Sequence, residues 1–172
     1  MELLPRKTRS KPRDLSEALD CFGALSNVVQ ALAYEFQPVG TVRRKEDPIS
    51  QVDILAVPIK LVVFIEKLRR FIPVCLPVPN EPTLLFGWMG MTTRIHLAEK
   101  SEFPILLLSL TGPEHHVRQL MARARSMGLR ITKAGIFNIR SGKTYQPSSE
   151  RAIYSWLGID FIEPEERARA TI

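Results

Sequence analysis

Val39-Gly40-Thr41-Val42-Arg43-Arg44 leads through Lys45-Glu46-Asp47-Pro48-Ile49 into Ser50-Gln51-Val52-Asp53-Ile54-Leu55. The first segment closes an alternating run, Tyr34 to Val39, at a glycine. Glycine takes a positive φ without steric cost, so a strand can end there sharply and leave backbone N–H groups exposed. The guanidinium forks of Arg43 and Arg44 beside such a turn match the oxygens of a phosphate. A surface turn with two solvated arginines is the plainer reading of that segment alone. The second segment alternates as a strand from Gln51 to Val57 and stops at Pro58. Side chains two apart on a strand share a face, so Gln51 and Asp53 point the same way. Where that face meets the turn, the pair stands where a metal-bound triphosphate would lie.

Working outward, Asp14 or Ser16 can cap a helix whose apolar positions, Leu15, Leu19, Phe22, Leu25, Val29 and Leu32, follow the helical period. Lys60 to Phe71 reads as an amphipathic helix. Ile72–Val78, Leu84–Met89 and Thr92–Ala98 read as strands, punctuated by prolines and glycines. A buried run, Phe103 to Leu110, precedes Thr111-Gly112-Pro113. Glu114 to Met127 predicts a helix stopped by Gly128, and Leu129–Thr132 with Gly135–Ile139 predicts a hairpin. A last helix, Ser149 to Leu157, ends at Gly158. The expected class is α+β: a mixed sheet flanked by helices over residues 15–110, then a small α/β subdomain over 111–172. Residues 1–14 read as a flexible basic arm.

The chain has 172 residues, a net charge of +6 and two cysteines, Cys21 and Cys75. Those cysteines make no metal pattern and no disulfide framework, which favours a reducing compartment, cytoplasm or nucleus, over secretion. The N-terminal stretch turns basic after four residues and lacks the apolar core of a secretory signal. No apolar run approaches the roughly 20 residues a membrane span needs, so no membrane partner is expected. Basic residues crowd the arm (Arg6, Lys7, Arg9, Lys11, Arg13), Lys60 to Arg70, and Arg118 to Lys133. Such a balance attracts polyanions by releasing their counterions.

Five stretches together resemble the X-family DNA polymerases, the polymerase beta type within the nucleotidyltransferase superfamily. Gly40-Thr41-Val42-Arg43-Arg44 is similar to the family's G-S-x-R-R, and Gln51, seven positions after Arg44, stands at the first position of an acid-x-acid strand. Thr93-Arg94-Ile95-His96-Leu97 resembles the later strand that carries a third acid. Leu110-Thr111-Gly112 is similar to the family's Thr-Gly turn, and Ile131 to Phe137 to its thumb hairpin. Ser149-Glu150, Ile153-Tyr154, Leu157-Gly158-Ile159 and Ile162 to Arg167 resemble its C-terminal signature. The resemblance runs from about residue 15 to residue 168. It begins one helix before the palm, so the family's lyase domain and fingers are expected to be absent, as in its compact viral members.

The resemblance implies a nucleotidyltransferase palm followed by a thumb. It also implies that Gly40, Thr41, Arg43, Arg44, Thr111 and Gly112 would hold nucleotide phosphates. Arg118, Arg123, Arg125, Arg130 and Lys133 would face DNA backbone. The family holds two Mg²⁺ ions with three carboxylates, the third also helping to take the primer hydroxyl proton. Here Gln51 stands at the first acid position, Asp53 at the second and His96 at the third. Glutamine offers a neutral oxygen and histidine a nitrogen that suits Mn²⁺ or Zn²⁺ better than Mg²⁺. Asp53 alone is left as a metal ligand. His115, His116 and Val117 stand where the family touches the incoming nucleotide, and His115-His116 also reads as an exposed first helical turn.

The expected function is that of a catalytically degenerate relative, binding DNA and nucleotides as an accessory in replication or repair, within a larger protein complex. That reading calls for no cofactor. Two alternatives stay open: an active template-directed nucleotidyltransferase using Mg²⁺ or Mn²⁺ at an unusual site, and a protein-interaction scaffold that reuses the fold.

Overall fold

Asp14 starts the first helix by accepting the Glu17 N–H on its carboxylate at 2.8 Å, the usual way an N-cap satisfies an orphan donor. In the computed structural model, which describes residues 11–172, that helix is α1, Leu15–Val29. The basic arm's first ten residues lie outside the described residues. Just before the cap, Arg13 pairs with Ile49 through reciprocal backbone hydrogen bonds of 2.8 and 2.7 Å.

A 3₁₀ turn, Gln30–Leu32, leads to β1, Ala33–Val39, and the single-turn helix α2, Gly40–Arg43. Then come β2, Gln51–Pro58, α3, Leu61–Phe71, β3, Leu76–Pro77, β4, Thr83–Trp88, and β5, Met91–Leu97. The sheet order is β1-β2-β5-β4-β3, and only the β2–β5 pair is parallel. The expected strand Ile72–Val78 shrinks to Leu76–Pro77. Pro73, Pro77 and Pro79 supply no N–H to a ladder, so only a stub pairs at the edge.

Alternation sorts the sheet into two faces. Val52, Ile54 and Ala56 of β2, with Phe86 and Ile95, pack against Ala18, Cys21 and Leu25 of α1 and Phe64 and Leu68 of α3. On the opposite face, Val39, Leu55 and Val57 pack against Phe103 and Leu107. Gln51 and Asp53 belong to this second face by their spacing from Leu55, and His96 joins them because it pairs with Leu55 across the parallel register.

Phe103–Thr111, the buried run of the sequence, is a helix, α4. It is buried on two sides, so its apolar residues show no helical period. Phe103 and Leu107 face the sheet, while Ile105 and Leu108 enter a second core with Leu120, Ala124, Leu129, Ile136, Ile153, Tyr154 and Leu157. That core belongs to α5, Glu114–Ser126, the antiparallel strands β6, Leu129–Thr132, β7, Gly135–Asn138, and β8, Thr144–Tyr145, and α6, Glu150–Trp156. The hairpin and both helices fall where the sequence predicts them. The Ser149 hydroxyl caps α6 by accepting the Ala152 N–H at 3.1 Å. A 3₁₀ turn, Pro164–Glu166, follows. The α+β class holds: a mixed sheet flanked by helices, joined to a small α/β unit. No helix among the described residues is long and apolar enough to cross a membrane.

Candidate nucleotide and nucleic-acid site

Val39 is the register partner of Asp53, so the turn that follows β1 lies over the acid. Gly40 takes φ +61°, in the left-handed region that favours glycine. A Cβ there would stand 3.6 Å from Asp53 Oδ2 and 3.8 Å from the Leu110 carbonyl. Both are ordinary contacts, so the backbone angle, not crowding, selects glycine. The Gly40 turn, the acid and the end of α4 meet at this point.

Both arginines of the turn already hold partners. Arg43 grips Glu150 with two nitrogens, at 2.7 and 3.2 Å, and Thr111 Oγ1 at 2.7 Å. Glu150, only 5% exposed, also accepts from Arg167, which is fully buried, at 2.7 Å. Burial alone would raise the Glu150 carboxyl, but hydrogen bonds from Arg43 and Arg167 outweigh it and hold the group below the usual carboxylate range. Arg44 forks onto Glu46, Nε to Oε1 at 2.8 Å and Nη2 to Oε2 at 2.6 Å, and its Nη1 donates to the Thr111 carbonyl. The Arg44 bonds hold the Glu46 carboxyl below its ordinary value. Gly112 lies against the same guanidinium, where a Cβ would come within 3.4 Å of Arg44 Nη1. Gly40, Arg43, Arg44, Thr111 and Gly112 are thus brought together, with Thr41 in the same turn.

On the sheet face, Gln51 Nε2 donates to Asp53 Oδ2 at 2.7 Å, and His96 Nε2 lies 3.3 Å from Asp53 Oδ1. The other ring nitrogen, Nδ1, stands 3.3 Å from Oγ1 of the buried Thr83. Arg94 pairs with Asp53 in register, and its buried Nε has no hydrogen-bond partner among the described residues. The convergence expected of Gln51, Asp53 and His96 is therefore present. Its chemistry does not fit a pair of Mg²⁺ ions, which want hard oxygen ligands in near-octahedral shells. One carboxylate is available, both its oxygens have neighbours of this chain in hydrogen-bonding reach, and a cation stands beside it. Among the described residues no group of three or more His, Cys, Asp or Glu is arranged to hold a metal.

His115 and His116 part company. His115 is exposed, but His116 is fully buried, with Nε2 2.7 Å from the Tyr154 hydroxyl. The expectation of an exposed first turn fails at His116 because that position falls on the core face with Val117 and Leu120. Burial, with Arg167 nearby, pushes the imidazole down from its ordinary 6.5 to about 4. Burial also raises the Tyr154 hydroxyl. Neither His116 nor Val117 can meet a nucleotide without leaving the core.

The basic residues of the second unit divide likewise. Arg118 and Arg125, seven apart on α5, share its solvent face with His115. Arg123 lies on the flank and donates from Nε to the Leu157 carbonyl at 3.2 Å, serving the end of α6. Arg130 is exposed on β6, with its guanidinium 5.8 Å from the Phe137 ring, and Lys133 is exposed in the hairpin turn. The roles of Glu46, Glu150, Arg167 and His116 escaped sequence reasoning. Glu150 and Arg167 sit in the C-terminal signature, but nothing local in it says what they grip.

Comparison with known proteins agrees with this geometry. The DNA polymerase beta thumb family model matches residues 106–168, from the second turn of α4 through α5, the small sheet, α6 and the last 3₁₀ turn. Human DNA-directed DNA/RNA polymerase mu is 31% identical over 82 residues, 47% of this chain and 17% of that protein. The DNA polymerase/3'-5' exonuclease PolX of Bacillus subtilis is 23% identical over 137 residues, 77% of this chain and 24% of that protein. The Repair DNA polymerase X of African swine fever virus is 23% identical over 150 residues, 81% of this chain and 85% of that protein. In fold, motif order and relatives the chain is similar to the X-family DNA polymerases. It spans less than a quarter of the human and bacterial proteins' lengths and most of the viral one's.

Proposed function

We propose that this chain is a DNA-binding X-family relative that acts as an accessory in DNA repair or replication. Its thumb holds duplex backbone, its Gly40 turn takes a nucleotide phosphate, and its palm does not run the family's two-metal reaction. The carrying observation is the state of Asp53: Gln51 donates to one oxygen and His96 stands 3.3 Å from the other. A carboxylate so held, with a glutamine and a histidine as its neighbours, lacks the negative charge that gathers two hard cations. Losing two of three acids costs several kcal/mol of transition-state stabilisation, at about tenfold in rate per 1.4 kcal/mol. Backbone contacts from Arg118, Arg125, Arg130 and Lys133 need no metal. The repair setting follows the viral relative's name.

Incubation with gapped DNA, four deoxynucleotides and either Mg²⁺ or Mn²⁺ tests this. No extension is expected. Extension that disappears in Asp53→Ala would overturn the silent-palm reading. DNA titration at two salt concentrations tests the other half: absence of binding at low salt would leave the scaffold reading in its place.

One contact favours a second reading, nucleotidyl transfer at a single Mn²⁺-type ion. The Nδ1 of His96 rests against Thr83 Oγ1, the kind of outer hydrogen bond that orients a metal-ligating imidazole. Calorimetry with Mn²⁺ and Mg²⁺ separates the two readings. Gln51→Asp with His96→Asp is expected to gain Mg²⁺ affinity over the parent chain.

A further inference from the structure

We propose that Glu46 is a built-in competitor for phosphate at Arg44. The idea rests on the Gly40 turn being a phosphate site, as argued above, and adds how that site is guarded. An arginine recognises a phosphate by presenting two parallel N–H groups to two oxygens. Glu46 fills that fork here, Nε to Oε1 at 2.8 Å and Nη2 to Oε2 at 2.6 Å. Its carboxylate imitates the charge and the oxygen spacing of the ligand.

The backbone is shaped to bring the acid back. Lys45 takes φ +54°, a conformation rare for a residue with a side chain. The Glu46 N–H closes the turn on the Thr41 carbonyl at 3.1 Å. Two residues of chain are thereby folded so that Glu46 meets the guanidinium of Arg44.

The opposite side of the guanidinium is closed too. Nη1 donates to the Thr111 carbonyl, and Gly112 lies against it. Arg44 is 11% exposed, whereas Glu46 is 37% exposed. Of the groups around the fork, Glu46 is the one free to swing into solvent, so an arriving phosphate gains Arg44 by displacing it. Arg43 offers no substitute: its fork holds the buried Glu150.

Tripolyphosphate, titrated calorimetrically in the presence of EDTA, is the probe, so that no metal enters the readout. Glu46→Ala and the milder Glu46→Gln are each expected to bind it about tenfold tighter than the parent, the worth of one charge-assisted contact. That gain should vanish in Arg44→Ala/Glu46→Ala. Asp47→Asn, which removes the neighbouring exposed carboxylate, controls for net charge and should move affinity far less. If Arg44→Ala weakens binding but neither Glu46 variant strengthens it, the competitor role is wrong and the phosphate turn stands. An Arg44→Ala variant that binds like the parent sinks both. A gain equal in Asp47→Asn, or one that persists without Arg44, reduces the effect to overall charge and overturns the proposal.

Discussion

Arg43 shows how a residue's type can be legible while its partner is not. Guanidinium beside a glycine turn reads as a phosphate ligand, because fork chemistry is local. Its actual fork is filled by Glu150, 107 residues further along the chain. No periodicity or cap connects two positions so distant, so a sequence reading places the arginine and misses the ion pair. Gln51 and Asp53 were legible for the opposite reason, because strand alternation is a short-range rule; His96 was placed beside them by the resemblance, and the parallel register of β2 and β5 brings it there. Glu150 stands between two arginines in a dry site, and removing its charge leaves both uncompensated. Glu150→Gln should therefore lower unfolding free energy by about 3 kcal/mol in urea titration. A change below the scatter of surface substitutions would mean the cluster is solvated. His116 carries a pH prediction. The unfolded imidazole titrates near 6.5 and the folded one near 4, so between these values the unfolded chain binds more protons. Stability must fall as pH drops through that interval, and the loss is complete below the folded value. Glu150, held below its ordinary range, adds a further loss at more acid pH. Thermal melts of His116→Gln should show a flatter dependence between pH 6.5 and 4 than the parent. An unchanged slope would assign the acid sensitivity elsewhere.

Helices α4 and α5 differ in how much of them the sequence could tell. α5 alternates apolar and basic faces at helical spacing, so its limits and its solvent side were readable. α4 is apolar on nearly every side and reads only as a buried run, because two cores share it. The resemblance assigns five basic residues of this region to DNA, but neither it nor their charge distinguishes the two sides of a helix. Arg118 and Arg125 project together from α5, whereas Arg123 is spent on the Leu157 carbonyl. They should separate in a salt titration, where each lost phosphate contact removes about 0.9 from the slope of log affinity against log salt. Arg118→Ala with Arg125→Ala should flatten that slope by about 2 and leave the melting temperature nearly unchanged. Arg123→Ala should do the reverse, costing stability with little effect on the slope. Equal slopes for the parent and both variants would move the duplex off this face.

The palm and thumb are joined by more than a peptide link. Phe103 and Leu107 of α4 enter the palm core while Ile105 and Leu108 enter the thumb core. Arg43 reaches from the palm turn to Glu150 at the start of α6, and Lys45 pairs with Glu165 at 2.6 Å. A helix shared by two cores cannot unfold with one and remain packed on the other, so the units should melt together. The two tryptophans allow a direct check, since each reports on one side. Trp88 packs on the palm core and donates to the Cys21 carbonyl at 3.2 Å. Trp156 rests on Tyr145 of the thumb, with ring centroids 5.0 Å apart. Urea curves followed by fluorescence in Trp88→Phe and Trp156→Phe backgrounds should therefore coincide once each background's own stability is subtracted. Leu108→Ala opens a cavity on the thumb side of α4, at a cost of about 2–5 kcal/mol. If α4 couples the cores, that cost appears equally at the palm tryptophan, which the substitution does not touch. A shift confined to the Trp156 signal would mean that the thumb melts independently and that the shared helix does not bind the two halves into one cooperative unit.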